Sequence, residues 1–362
     1  MSDVMIVGGG VIGLTCAWEL ARLGHQVTVL DQQEMGREAS WAGAGMIPPG
    51  DLKNDVANEL AQLSSELWPT LSAQLRDTTG IDNGYTPCQG LLLPHEEKLE
   101  QEFADWQERG VRIQHLDSQE LKQLVPVLSE NHLNGGNRSG LLLPDQAQVR
   151  NPRHMKALVA ACRHAGVQLL EQHQVTGWET SENRIQSVVT NHGHFSAGEF
   201  IVTAGAWSDL VVAPLNHRLN VRPIRGQIVL FHASEPLFRQ TIECGTRYLV
   251  PRIDGRILVG ATEEHVGYVK ENTPEAVASL CTFARDLIPA LSEVPVEMTW
   301  AGLRPYREDV PAVGRSERWG NLILAAGHFR AGLSNSPATA LIVRQILSGE
   351  SPAIDMQQFA FA

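Results

Sequence analysis

Residues 4–13 read VMIVGGGVIG, an apolar strand that runs directly into a glycine-rich turn. A helical pattern follows as far as Gly24, and a second apolar strand at residues 27–30 ends at Asp31. Strand, turn, helix, strand and acid in this order form the fingerprint of a dinucleotide-binding βαβ unit. This stretch therefore indicates a Rossmann-like nucleotide fold at the start of the chain.

Three glycines of this turn have a mechanical role. Gly8 permits the tight turn, Gly10 lets a pyrophosphate approach the backbone, and Gly13 lets the helix and the strand pack closely. The helix N-terminus offers unpaired N–H groups and a positive dipole end to the phosphates. Asp31 can accept hydrogen bonds from the ribose hydroxyls. The turn thus predicts dinucleotide binding, and the alternative is an ordinary glycine-rich βα turn.

The bulk composition restricts the class of protein. The chain has 362 residues, 43% apolar and 19% charged, which is ordinary for a globular protein with room for two domains. A formal net charge of −12 argues against nucleic acid or an anionic membrane as a partner. Five scattered cysteines without metal-ligand spacing indicate free thiols. Since no apolar run is long enough to span a bilayer and no basic segment precedes residues 4–18, we expect a cytoplasmic protein without a metal.

The later segments predict an α/β fold in discontinuous pieces. Residues 55–78 carry leucines at helical spacing and are interpreted as an amphipathic surface helix. Short strands separated by Pro and Gly begin at about residue 220. We therefore expect a discontinuous Rossmann-like domain and an inserted β-rich (α+β) substrate domain. The predicted ranges are 1–50, 145–218 and 305–362 for the first domain, and 51–144 and 219–304 for the second.

Several further motifs occur in the order found in one family of flavoproteins. With the glycine-rich turn and Asp31 they are Ser40–Met46, Ile201–Ser208, Pro223–Gln227, Tyr248–Arg252, Val259–Thr262, Trp300–Pro305 and Ala326–Gly332. On these motifs the chain resembles the D-amino-acid oxidase family, and most closely its glycine oxidase branch. The resemblance implies FAD as the cofactor. A single Rossmann half with long insertions suits FAD, whereas an NAD dehydrogenase would show a compact run of alternating strands and helices.

The resemblance also implies which residues form the site. Arg304 would bind the substrate carboxylate, with Tyr248 and Arg330 beside it, because the rigid donor fork of arginine matches a carboxylate. The alternatives are a surface arginine and a core tyrosine. His328 is interpreted as ordering the loop beside the flavin rather than as a general base. The residues implied for cofactor binding are Gly8, Gly10, Val11, Ile12, Gly13, Asp31, Gln32, Ala39, Ser40, Ala44, Gly45, Met46, Val175, Gly205, His328, Phe329, Arg330, Ala331, Gly332, Leu333 and Ser334.

One position departs from the pattern of the branch. After Thr262 the branch usually carries an apolar residue, and this chain carries Glu263. If Glu263 faces the substrate pocket, its charge disfavours acidic substrates and favours cationic ones. The alternative is that Glu263 points to solvent, since side chains alternate in direction along a strand.

The reaction implied by the resemblance is an oxidative deamination. Hydride passes from Cα of glycine, a small amine or a D-amino acid to flavin N5, the imine hydrolyses to a keto acid and ammonia, and O2 is reduced to H2O2. In this branch the imine commonly supplies thiazole synthesis for thiamine, and relatives are often tetramers, so we expect a homo-oligomer. Three alternatives stay open: a D-amino-acid dehydrogenase with a quinone acceptor, a sarcosine oxidase-like enzyme and a flavin-binding regulatory protein. Because sarcosine oxidases attach flavin to a late cysteine and Cys281 is the last one here, we expect non-covalent FAD.

Overall fold

The computed structural model describes residues 2–129, 139–308 and 310–359. Its strands are β1 (Ser2–Val7), β2 (Val27–Leu30), β3 (Met46–Ile47), β4 (Thr86–Pro87), β5 (Gly90–Leu92), β6 (Gln114–Leu116), β7 (Gly140–Leu143), β8 (Ala147–Gln148), β9 (Gln168–Leu170), β10 (Val175–Ser181), β11 (Arg184–Thr190), β12 (Gly193–Val202), β13 (Arg222–His232), β14 (Thr241–Cys244), β15 (Arg247–Pro251), β16 (Arg256–Gly260), β17 (Val296–Tyr306), β18 (Ala312–Arg315) and β19 (Leu322–Ala326). Its α-helices are α1 (Val11–Arg22), α2 (Glu38–Ala42), α3 (Asp55–Thr79), α4 (Leu99–Glu108), α5 (Ser118–Leu124), α6 (Asn151–His164), α7 (Ser208–Val212), α8 (Pro274–Leu287) and α9 (Ser336–Ser348).

The first sheet carries the predicted βαβ unit. Its strands are ordered β10-β11-β12-β1-β2-β9, with β19 beside β12 and β18 beside β19. Strand β1 lies between β2 and β12 and is parallel to both. Because side chains alternate along a strand, Val4 and Ile6 pack with α1, α3, α6 and α9, whereas Met5 and Val7 face the opposite core. Cores on both faces of β1 are what a parallel sheet of this kind requires.

The second sheet carries the segments expected to bind substrate. Its order is β17-β13-β16-β15-β14-β5-β7-β6, and β5 and β14 form its parallel pair. On one face Val229 packs with helix α8. On the other face Ile228 packs with Tyr248 and with Ala44, which lies between α2 and β3. Because side chains alternate in direction along β13, one face of this sheet packs against α8 and the other faces the segment around Ala44. The remaining strands form a small sheet in the order β3-β8-β4.

The predicted α/β fold class is confirmed, and one interpretation changes. The expected helix over 55–78 is present as α3, but it is more than a surface helix. Trp68 and Leu75 are fully buried in the core that α1 and β1 share. The division of the chain into two domains stays a prediction, and this packing favours counting α3 with the nucleotide-binding domain.

Three bulk properties bear on the expectations from composition. All five cysteines are free thiols, as their scattered spacing indicates. Within the described ranges, no helix has the length and apolar character needed to cross a membrane. The same residues contain no cluster of His, Cys, Asp and Glu suited to a metal ion.

Candidate active site

The glycine-rich turn brings three backbone segments unusually close together. Gly8 adopts φ +114°, in the region that favours glycine, and a Cβ there would lie 2.5 Å from the Thr203 carbonyl oxygen. A Cβ at Gly13 would lie only 1.9 Å from the Gly8 carbonyl oxygen. Helix α1 can therefore begin directly against β1 only because both positions lack a side chain. The N-terminus of α1 favours an anion, and its Val11 N–H donates to Ser40 Oγ at 2.9 Å.

Asp31 ties the end of β2 to this turn. Its Oδ2 accepts a hydrogen bond from the Gly9 N–H at 2.7 Å, and its Oδ1 accepts one from the Gln33 N–H at 2.8 Å. Burial raises the pKa of Asp31, and these two backbone hydrogen bonds act in the opposite direction. The carboxylate thus lies beside the glycine-rich turn, as the sequence predicts for an acid that meets a ribose.

One cavity connects the two sheets. Its volume is about 610 Å³, and it extends from the glycine-rich turn to Tyr248 and Arg304 on the second sheet. Every residue implied for cofactor binding lines it, with the exception of Gly13, which instead packs α1 against the turn. The small-residue segment 43–46 and the loop 327–334 form adjoining parts of its wall. An elongated ligand with phosphates at one end and a flat ring system near the second sheet fits this shape.

Arg304 and Tyr248 each occupy space that a neighbouring glycine leaves free. Nη1 of Arg304 donates to the Thr262 carbonyl oxygen at 2.9 Å. A Cβ at Gly226 would lie 2.4 Å from Arg304 Nη2, and one at Gly260 would lie 2.5 Å from Tyr248 Oη. Burial lowers the pKa of Arg304, but the usual pKa of arginine is so far above 7 that the guanidinium stays cationic. Burial raises the pKa of Tyr248, so its side chain stays a neutral phenol near pH 7. Together they offer several hydrogen-bond donors to an anion.

Arg330 lines the cavity, and Glu263 lies behind it. Nη2 of Arg330 and Oε1 of Glu263 are 2.7 Å apart. Nη2 of Arg330 also donates to the Thr246 carbonyl oxygen at 3.3 Å. Glu263 is exposed and is not among the described residues that line the cavity. Glu263 therefore forms an ion pair with Arg330.

The loop that begins at His328 is fixed by groups from distant parts of the chain. His328 Nε2 lies 3.0 Å from Thr339 Oγ1, and burial lowers the pKa of His328 to about 4, so the ring is neutral near pH 7. The Ser334 carbonyl oxygen accepts hydrogen bonds from Ser64 Oγ at 2.7 Å and Trp68 Nε1 at 2.8 Å. Sequence reasoning missed Ser64 and Trp68. The sequence pattern that could have indicated them is two polar groups four residues apart on the apolar side of α3.

Sequence reasoning also missed Glu243, which, unlike Glu263, lines the cavity. Glu243 is the direct cross-strand partner of Tyr248 between β14 and β15. Directly opposed residues of an antiparallel pair point to the same face, so Glu243 stands beside Tyr248. Burial raises the pKa of Glu243, while the hydrogen bond from Gln146 and the charge of Arg330 lower it. A sequence-based prediction of the hairpin that joins β14 and β15 would have placed Glu243 opposite Tyr248.

Comparison with known proteins agrees with this geometry. A family model described as FAD dependent oxidoreductase matches residues 3–346. The chain belongs to this family. It is 37% identical to a glycine oxidase of Pseudomonas putida over 99% of this chain and 98% of that protein. It is 33% identical to a bifunctional ThiO/ThiG protein of Trichormus variabilis, over 95% of this chain and 52% of that protein.

The fold of this FAD-dependent oxidoreductase is similar to that of solved relatives. The crystal structure of glycine oxidase from Geobacillus kaustophilus matches with a TM-score of 0.95 at 30% identity, over 100% of this chain and 98% of that one. The resemblance drawn from the sequence motifs is thereby confirmed, and FAD is the cofactor. The residues present fit it, because Gly8, Asp31 and the small-residue segment 43–46 line one cavity, and Gly13 packs α1 against the turn beside it.

Proposed function

We propose that this oxidoreductase is an amino-acid oxidase that acts on glycine and on small amines or D-amino acids. The observation that carries the proposal is the shared cavity, which joins the nucleotide-binding turn to Arg304 and Tyr248. Arg304, which is held by its hydrogen bond to Thr262, and the hydroxyl of Tyr248 can both donate hydrogen bonds to the α-carboxylate of an amino acid. The similarity to glycine oxidases over nearly the whole chain supports the same substrate class.

Residues of the chain are proposed to bind and orient the substrate. Arg304 holds the carboxylate with two parallel hydrogen bonds, and Tyr248 donates a third from its hydroxyl. Ile228 and Ala44 form apolar wall beside them and keep water away from the reacting carbon. FAD, when bound, supplies the acceptor for the hydride that leaves Cα. Orientation in a dry pocket is thus the contribution of the protein, and neutral His328 serves the loop rather than proton transfer.

The proposed cofactor contacts follow from the same cavity. Amides at the start of α1 bind the pyrophosphate, and Asp31 accepts the ribose hydroxyls. Segments 44–46 and 328–334 lie along the flavin ring, and Val175 contacts the adenine side through its backbone. We also retain as predictions a non-covalent FAD, a homo-oligomer and a cytoplasmic location. A role for the imine product in thiazole synthesis is supported by the similarity to part of the ThiO/ThiG protein.

The deciding experiment is anaerobic mixing of the purified flavoprotein with glycine, sarcosine, D-alanine, D-lysine and D-aspartate. Loss of flavin absorbance with glycine or sarcosine, followed by peroxide when air is admitted, is the expected result. Flavin that is reduced but makes no peroxide in air would instead indicate a dehydrogenase with a quinone acceptor. Flavin that stays attached after denaturation would indicate a covalent, sarcosine oxidase-like enzyme. If no amine reduces the flavin, the proposal is wrong and a regulatory role is favoured.

A further inference from the structure

The cavity continues beyond the place proposed for the substrate carboxylate. Five residues form what we call the distal wall: Leu92, Trp106, Leu143, Gln146 and Glu243. Glu243, Leu92 and Leu143 belong to β14, β5 and β7, which follow β15 across the second sheet. At about 4.8 Å between neighbouring strands, this wall reaches about 14 Å from the strand of Tyr248. Glycine has no side chain to occupy such a space.

The distal wall carries polar atoms that the protein leaves unused. Gln146 is fully buried, and its Oε1 has no hydrogen-bond partner in the described part of the chain. The same is true of Nε1 of the buried Trp106. Buried polar atoms are nearly always paired, so these two atoms point to a ligand that completes them. The side chain of Gln146 is held in place, since its Nε2 donates to Thr241 Oγ1 at 2.6 Å and to Glu243 Oε1 at 3.3 Å.

Glu243 contributes a carboxyl group to this wall, and its surroundings differ from those of Glu263. Glu263 is paired with Arg330 at 2.7 Å and does not line the cavity. Glu243 lines the cavity, and its hydrogen-bond donor is the neutral amide of Gln146. The charge of Arg330, which forms its ion pair with Glu263, also lowers the pKa of Glu243. In the proposed function, Arg304 binds the substrate carboxylate. A cationic group on the substrate would therefore find its counter-charge at Glu243.

We propose that Glu243 makes the pocket selective for amino acids whose side chain ends in an amine. An ammonium group has three donors, and these match the Glu243 carboxylate and the unpartnered Oε1 of Gln146. The aliphatic stem of a lysine-like or ornithine-like side chain lies against Leu92 and Leu143. This inference rests on the proposed function, because Arg304 must hold the α-carboxylate while the side chain extends along the distal wall.

The first test compares D-lysine with D-norleucine, which has the same aliphatic chain without the amine. In the wild-type enzyme kcat/KM is expected to be at least about tenfold higher for D-lysine. Glu243→Gln should lower this ratio by about tenfold, and Glu263→Gln, the matched control, should retain it. Equal use of the two substrates by the wild type, or a loss caused by Glu263→Gln alone, would overturn the proposal. A wild type that oxidises no amino acid, glycine included, would instead refute the proposed function.

The second test measures binding to the wild-type holoenzyme and needs no variant to fold. The probes are 6-aminohexanoate and hexanoate, which lack the α-amine and so cannot be oxidised there. The change in flavin absorbance on titration gives each Kd. 6-Aminohexanoate is expected to bind at least about tenfold more tightly, since only its amine can reach Glu243. Equal affinities would show that the distal wall does not recognise a cation, even if glycine is oxidised normally.

Discussion

Replacement of Gly226 by alanine tests the placement of Arg304 without touching Arg304 itself. The new Cβ would lie 2.4 Å from Nη2, 2.5 Å from Cζ and 2.7 Å from Nη1 of Arg304. Carbon atoms in good contact are about 3.5–4.0 Å apart, so the guanidinium must retreat by about 1 Å. The atoms that move are the far end of a flexible side chain. We therefore expect the fold and the FAD content to survive while the carboxylate site is displaced.

The magnitude follows from how strongly orientation controls the reaction. A displacement of about 1 Å in a positioning group can lower the rate about 100-fold. Because the two hydrogen bonds to the carboxylate exist in both the bound substrate and the transition state, part of the loss should appear as a higher KM. For Gly226→Ala we expect kcat/KM for glycine to fall by about 100-fold, with KM raised by about tenfold or more.

The assay is peroxide formation from glycine at saturating O2, together with the FAD content and the melting temperature of each variant. Gly177→Ala is the matched control, because Gly177 also lies in a strand and a Cβ there would meet Val189 Cβ at an ordinary 3.8 Å. The reasoning is refuted if Gly226→Ala retains full FAD content and a kcat/KM within twofold of the control. In that case Arg304 would not hold the carboxylate in this position.

Three further predictions concern the cofactor site and the core. Gly13→Ala should yield protein without FAD or no folded protein, as judged by flavin absorbance, since its Cβ would lie 1.9 Å from the Gly8 carbonyl oxygen. Asp31→Ala removes the acceptor of the Gly9 N–H and should raise the Kd of FAD by about 10- to 100-fold in a fluorescence titration of apoprotein. Burial lowers the pKa of His154 from 6.5 to about 3, so the unfolded chain gains this proton first as pH falls. Urea unfolding should therefore show about 2 kcal/mol less stability from this group at pH 5 than at pH 7.5, and His154→Gln should reduce that dependence.

The start of the nucleotide-binding fold is predictable from sequence because most of its decisive features are local, although Gly8 also approaches the distant Thr203. The left-handed Gly8, the close approach at Gly13 and the Gly9–Asp31 hydrogen bond all lie within the first 31 residues. Each depends on a residue type that few others can replace. The motif therefore determines the local geometry, and β1, α1 and β2 begin and end close to the residues that the sequence pattern predicts.

The distal wall and the support of the loop 327–334 could not be predicted in the same way, because they depend on distant contacts. Gln146 reaches Glu243 across 97 positions, and Ser64 reaches Ser334 across 270. Nothing in the local pattern around Glu243 distinguishes it from Glu263, which the family comparison singled out instead. The difference between the two carboxylates comes from strand pairing and from the position of Arg330. The roles given to individual site residues stay predictions until they are tested.

The two glycines beneath Arg304 and Tyr248 also explain how the second sheet makes room for two large side chains on the face that is proposed to bind substrate. Arg304 on β17 extends over Gly226 of the adjacent β13, and Tyr248 on β15 lies over Gly260 of the adjacent β16. Since β13 and β16 are neighbours, the two side chains lean toward each other from opposite sides over strands that leave room for them. An anion placed between them meets donors from both directions. Specificity beyond the carboxylate then depends on the next strand in the same order, β14, which is where Glu243 lies.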